Sequence, residues 1–268
     1  EGITQDAIIW VPVLKKPFQP LVYGFTMAPY NDIPDLEQYI NDQVASVIIE
    51  VIQGEGGINV PSREFLQAVR KRCDETGALL HVDEVQSGWG RTGYYFCSEH
   101  FGLVPDIVTL GKALGGGIAP QSALIANERA FFGREYHDQQ FEGMAANPWW
   151  LTNTFAGSQL SCAASLATIE VYEDEQLLPR CRELGAYTIG QLAAVVKRAP
   201  SILREVRGLG MWIGLECQSA ELGTRLADEL FHRDVLVAQT INNPSVIRIQ
   251  PPLIIEQEQL DTVLTAVE

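Results

Sequence analysis

DEVQSGWGRTG (Asp83–Gly93) is followed after a short interval by PDIVTLGKALGGG (Pro105–Gly117), and the reading of this pair decides the fold. Asp83 closes the apolar run ALLHVDE (Ala78–Glu84), and Lys112 closes a second, DIVTLGK (Asp106–Lys112). Short apolar runs with β-branched residues and glycine punctuation read as buried strands. Two such strands ending in an acid and in a glycine-framed lysine place both groups at one edge of an α/β sheet, where ligands collect. Either residue alone is an ordinary strand-end carboxylate or a solvated loop lysine. Together they match the needs of pyridoxal 5'-phosphate, whose aldehyde condenses with a lysine amine and whose ring nitrogen requires a carboxylate to keep its proton.

Outward from this pair the pattern alternates. Ile33–Gln43 reads as a helix capped by Asp32, and Val47–Ile52 as a buried strand. A helix starts at Ser62, with Phe65, Leu66, Val69 and Cys73 at helical spacing, Glu64 near its positive end and Gly77 as its stop. Strand, helix, strand at this spacing is a parallel crossover unit. Ser122–Ala126 adds a strand to the same sheet, and Phe132–Trp150 lacks periodicity and reads as a surface loop. Helices follow at Gln159–Tyr172 and Gln176–Arg198, the latter ended by Pro200. Beyond it come a strand at Met211–Glu216, a helix at Ala220–Arg233, short strands near Val235–Ala238 and Val246–Ile249, and a last helix at Glu256–Val267. The expected architecture is a large α/β unit over 1–173, mainly a parallel sheet with flanking helices, and a small α+β unit over 174–268.

The 268 residues are 46% hydrophobic, enough for a sizeable core. No apolar stretch reaches bilayer length, and no basic-then-apolar leader opens the chain, so a cytoplasmic location is the expectation. A formal net charge of −15 opposes nucleic-acid phosphates and anionic membranes as partners. The same acidic field would attract cationic diamines. The five cysteines are scattered without a CxxC pair and read as small apolar packers, and the four histidines show no ligand spacing, so no metal is implied.

From about Lys16 onward the chain resembles the class III, or ω-amino acid, aminotransferases of fold type I, and within them is most similar to the putrescine aminotransferase branch. The segments carrying the resemblance are VIIEVIQGEGG (Val47–Gly57), DEVQSGWGRTG, LGKALGGG (Leu110–Gly117), TNTFAGSQLSCAASLATIEV (Thr152–Val171), VRGLGMWIGLE (Val206–Glu216) and VLVAQTINNPSVIRIQPPLIIEQEQL (Val235–Leu260). The resemblance implies a homodimer with shared active sites that moves an amino group from a terminal amine, such as a putrescine-like diamine or an ω-amino acid, to a 2-oxo acid such as 2-oxoglutarate. Two alternatives stay open: a domain of a larger biosynthetic protein acting on ornithine-type or other ω-amines, and a non-catalytic scaffold of the same fold. The family's Ser-Gly-Thr/Ala phosphate turn and its ring-stacking aromatic have no counterpart in EGITQDAIIWVPVL (Glu1–Leu14), so the chain reads as either a fragment or a divergent form.

The resemblance also assigns residues. Lys112 and Asp83 are the catalytic pair, with burial expected to help deprotonate the Lys112 amine. Val85 shares Asp83's side of the strand and would pack on the ring, Gln86 would lie near its phenolic oxygen, and Thr154 would reach the phosphate of the neighbouring subunit. Around Thr154 the family's His-x-x-Thr-Phe-Gly-Gly-Asn pattern is altered, with Leu151, Ala156 and Ser158 replacing the histidine, first glycine and asparagine. Arg207 would grip the substrate carboxylate and Glu55 would pair with Arg207 in its absence. His81 reads as a hydrogen-bonded core histidine, and Glu50 and Arg91 as structural residues.

Overall fold

The computed structural model describes residues 16–20, 23–136 and 138–268. The first sheet has the order β1 (Ser46–Glu50), β2 (Leu79–Asp83), β3 (Ile107–Leu110), β4 (Ala123–Ala126). Its first three strands run parallel and β4 returns antiparallel. A short helix α1 (Leu36–Tyr39) precedes β1, and α2 (Arg63–Thr76) crosses from β1 to β2.

Local chemistry sets α2. The Ser62 hydroxyl accepts the Phe65 amide at 3.2 Å, Glu64 sits in the first turn, and Gly77 closes the helix at φ 75°. Such a cap stabilises a helix by about 1 kcal/mol. The buried face of α2, Phe65, Leu66, Val69 and Cys73, packs on Ile49, Leu80 and Val82 of the sheet. Helix α1 is much shorter than the expected Ile33–Gln43, and it begins after Asp35 rather than Asp32. Asn41 explains the early stop: its side-chain oxygen accepts the Gln43 amide at 3.0 Å, a local turn that competes with helix continuation.

The expected loop over 132–150 holds secondary structure. After α3 (Glu128–Phe132), β5 (Gly133–Tyr136) and β6 (Gln139–Glu142) form a hairpin, followed by single helical turns at Met144–Ala146 and Pro148–Leu151. Arg134 pairs in register with Phe141, and its guanidinium lies 5.7 Å from that ring's centroid. Polar and charged residues on both faces remove the apolar alternation that would announce such strands.

Helix α4 (Gln159–Asp174) leads to α5 (Leu177–Arg198), which accommodates Pro179 in its first turn, where no intrahelical N–H is needed. A second, antiparallel sheet follows in the order β7 (Leu203–Leu209), β8 (Trp212–Cys217), β10 (Val246–Ile249), β9 (Ala238–Gln239). Helices α6 (Ala220–Phe231) and α7 (Gln257–Val267) complete this half. Strand β7 was not expected, because LREVRGL is crowded with charge. Those charges are paired across the ladder, with Arg204 2.7 Å from Glu216.

Three apolar clusters join the parts. One lies between α2 and the first sheet, and buried Trp212 of β8 belongs to it. A second unites Val108 and Leu110 with Tyr172, Leu177, Cys181 and Met211. The third fills the second sheet around Ile213, Leu215, Ile247 and Leu264. Among the described residues no helix is long and apolar enough to cross a membrane.

The tightest junction is backbone on backbone. A Cβ at Gly185 of α5 would collide with the Gly210 carbonyl in the β7–β8 turn, and Met211 there donates its amide to the Arg91 carbonyl at 3.2 Å. Gly185→Ala should therefore destabilise the protein by about 2–3 kcal/mol in denaturant unfolding. A change below a few tenths of a kcal/mol would show that the junction yields.

Candidate active site

Strand ends build the site. Asp83 lies in register between Glu50 on β1 and Thr109 on β3. Its Oδ1 accepts the Val85 amide at 2.9 Å, turning the chain as the strand stops. The Glu84 amide still bonds the Thr109 carbonyl at 3.0 Å, so β2 and β3 stay locked to their ends. Lys112 follows Thr109 by three residues, roughly 10 Å of extended chain. It opens a helical turn, Lys112–Gly115, with φ 47°, a left-handed backbone that a long side chain rarely adopts.

Val85 lies against the end of β3, where a Cβ on Gly111 would sit 3.3 Å from its Cγ1. A side chain there would oblige Val85 to give by a few tenths of an ångström. His81, two residues before Asp83, is buried and its Nε2 lies 3.2 Å from the Thr109 hydroxyl, in keeping with a core histidine. Burial lowers its pKa, against the opposing pull of Asp83. Lys112 departs from expectation, since its side chain is exposed rather than buried.

Two further carboxylates frame the acid. Glu84 is 1% exposed and accepts the Ser87 hydroxyl at 2.6 Å and the Cys97 and Ser98 amides at 2.9 and 2.8 Å. Burial raises its pKa against the pull of those donors. Glu50 accepts the Gly54 amide at 2.9 Å. Burial raises its pKa too, the Gly54 amide lowers it, Asp83 raises it further and the Lys112 charge opposes. The register partner of Asp83 thus feels both Asp83 and Lys112.

The Gln53–Asn59 turn closes the other side. A Cβ on Gly54 would strike the Gln86 side-chain oxygen and the buried Trp212 ring, and Gln86 hydrogen-bonds Glu55. Glu55 holds Arg248 Nη1 at 2.5 Å through one carboxylate oxygen and the Ile241 amide at 3.0 Å through the other. Burial disfavours the ionised form of Glu55, but the Ile241 amide and the Arg248 guanidinium prevail and keep its carboxyl below the usual range. The expected Arg207–Glu55 pair is therefore not formed. Arg207 gives Nε and Nη2 to the Gly57 carbonyl, at 2.9 and 2.6 Å, and Nη1 to Glu216 at 2.5 Å and to Glu205. Its fork is already spent.

The structure thus brings together Asp83, Val85, Gln86 and Glu55, with Lys112 at the adjoining strand end. Thr154 lies on the exposed turn before α4 and, among the described residues, is not hydrogen-bonded to that group. Arg91 donates to the Met211 and Pro251 carbonyls, a structural role as expected. Arg248 escaped the sequence reading. Its signal was a lone charge in the apolar strand VIRI, half-hidden at 18% exposure.

The family profile Aminotransferase class-III matches residues 10–268. The chain belongs to the class-III aminotransferase family. It is 42% identical over 259 residues to the putrescine aminotransferase of Pectobacterium atrosepticum, covering 94% of this chain and 53% of that protein. The ornithine aminotransferase of Toxoplasma gondii superposes with a TM-score of 0.83 at 30% identity, over 96% of this chain and 58% of its own. The acetylornithine aminotransferase of Elizabethkingia anophelis gives 0.76 at 32% identity, over 94% and 60%. The chain therefore spans little more than half the length of these relatives.

Members of this family are pyridoxal 5'-phosphate enzymes. The donor set here fits that group: an acid at Asp83, an amine at Lys112, an amide at Gln86, and a strand end at Gly111 stripped of its side chain beside Val85.

The ion pair at Glu55 makes a pH prediction. A carboxyl with lowered folded pKa contributes stability above its unfolded pKa, near 4.3 for glutamate, and loses that contribution as pH falls through the folded value. The melting temperature of the wild-type protein should exceed that of Glu55→Gln at pH 7, and the gap should close below about pH 4. A gap independent of pH would mean that Glu55 is held by shape rather than charge.

Proposed function

We propose that the protein transfers an amino group from a terminal amine, a putrescine-like diamine or ω-amino acid, to a 2-oxo acid such as 2-oxoglutarate. The observation that carries this reading is the register that sets Asp83 beside Thr109, three residues before a lysine held in a left-handed conformation. The cofactor, when bound, supplies an aldehyde for the amine and a ring that withdraws electrons from the carbon bearing it.

The chain's own residues divide the remaining work. Asp83 keeps the proton on the ring nitrogen, its second oxygen being free of the Val85 amide. Lys112 would be the residue that holds the cofactor's aldehyde carbon, and its amine would be the group that holds or returns a proton at the substrate carbon. Its exposure leaves the amine room to swing between those tasks. Val85 would pack on the ring and Gln86 would lie near its phenolic oxygen. Thr154 reaches the phosphate of a second copy in a homodimer, a reading supported by exposed Trp149, Phe155 and Leu160 around it. The chain divides into a cofactor-binding unit, 1–173, and a small unit, 174–268, following the two sheets.

Substrate choice turns on Glu55 and Arg248. With an amine that lacks an α-carboxylate, the pair stays closed and the site sees no net charge from it. When a dicarboxylate enters, its carboxylate takes the Arg248 fork and Glu55 keeps the Ile241 amide. This places the carboxylate-gripping role on Arg248 in preference to Arg207. A second reading, an ornithine-type donor, draws on the likeness to ornithine and acetylornithine aminotransferases. Such a donor would bring its own α-carboxylate to Arg248.

Two experiments test this. Borohydride should fix the cofactor covalently to the wild-type protein and not to Lys112→Ala, with transfer activity lost in the variant; trapping at another residue would sink the assignment. Arg248→Gln should raise the KM for 2-oxoglutarate roughly a hundredfold, as a lost charge-assisted contact does, and that for putrescine far less. If ornithine is the true donor, its KM rises in step with that of the 2-oxo acid.

A further inference from the structure

Arg207 is one of the most heavily bonded side chains among the described residues. Its Nε and Nη2 converge on a single carbonyl, Gly57, while Nη1 carries Glu216 and Glu205. Glu216 is itself 7% exposed and is pinned a second time by Arg204. A path of charge-assisted bonds therefore runs from β8, through one guanidinium, into the turn that carries Glu55. That turn is short and closed on itself, with the Gly57 and Ile58 amides returning to the Gly54 carbonyl at 3.2 and 3.3 Å. On its far side the Glu55 carbonyl accepts the Asn242 amide at 3.0 Å.

Glu55 thus reaches Arg248 from a turn held at both ends, by Asn242 from the segment before β10 and by Arg207 from β7. We propose that Arg207 is a positioning residue, a strut that holds the Gly54–Gly57 turn so that Glu55 meets Arg248. The proposal rests on the reading of the Glu55–Arg248 pair given above and extends it. The strut serves only the closed pair. A carboxylate bound to Arg248 needs no Glu55 beside it, so losing Arg207 disfavours the amine-accepting arrangement and leaves the carboxylate-accepting one untouched or favoured. Arg248 without its partner would also repel a cationic diamine.

A direct substrate role for Arg207 predicts the opposite sign. The test is the Arg207→Gln variant of the cofactor-loaded protein, assayed for each substrate separately, with calorimetric binding of glutarate as a readout independent of turnover. The strut predicts a KM for putrescine raised roughly tenfold, a KM for 2-oxoglutarate unchanged or lowered, and glutarate binding retained or tightened. Arg207→Lys, which keeps a cation beside Glu216 but only a single donor centre, should fall between wild type and glutamine. It also serves if the glutamine variant fails to fold. A raised KM for 2-oxoglutarate, lost glutarate binding, or a folded variant with an unaltered putrescine KM overturns the strut. Wild-type protein that transfers no amino group overturns the reading of the site instead.

Discussion

Everything at the site hangs on a carboxylate that, among the described residues, is held by neutral donors rather than by a cation. Glu84 is buried directly after Asp83 and is held by neutral donors from the stretch 87–98, among them the Ser87 hydroxyl and the Cys97 and Ser98 amides. Desolvating such a group without its donors costs several kcal/mol, so the loop has little freedom to leave. With Glu84 anchored on one face, strand alternation aims Asp83 the other way, and the following residues bring Val85 against the end of β3 and Gln86 toward the Gly54–Gly57 turn. The acid is oriented by what happens to its neighbour.

The two sheets meet through polar bonds as well as apolar packing. Trp212 leaves β8 to enter the core of the first sheet, Arg91 spans from the first sheet's loop to the Met211 and Pro251 carbonyls, and Arg207 and Arg248 both reach the Gly54–Gly57 turn. Asp83 and the turn that carries Glu55 therefore belong to the first sheet, while the guanidiniums that meet that turn come from the second. Their spacing is a property of the junction. The buried Trp212 Nε1, on a ring beside Gly54, is one of the polar atoms that this junction leaves without a hydrogen-bond partner among the described residues.

Much of this was legible in the sequence where local chemistry and burial agree. Ser62, Glu64 and Gly77 bracketed α2, the apolar runs located β1, β2 and β3, and DEVQ with GGG-flanked Lys112 marked their ends. What escaped had its signal masked by charge or decided by partners far along the chain. Strand β7 lacks apolar alternation because its arginines pair with Glu216 across the ladder, and the β5–β6 hairpin because polar residues occupy both of its faces. Helix α1 was cut short by a side-chain turn at Asn41. Choosing between Arg207 and Arg248 for Glu55 requires knowing which of the two strands flanking β8 faces a turn some 150 to 190 residues earlier, and no spacing rule encodes that.

The φ of Lys112 bears on how such a chain evolves. Glycine would occupy that backbone without strain, and folding alone would favour it at the head of a run that already continues Ala-Leu-Gly-Gly-Gly. A lysine kept there against its own conformational preference is a standing burden on stability. In a lineage released from amine chemistry, drift toward glycine at this position would come early, so its identity is a readable marker of whether a descendant still works.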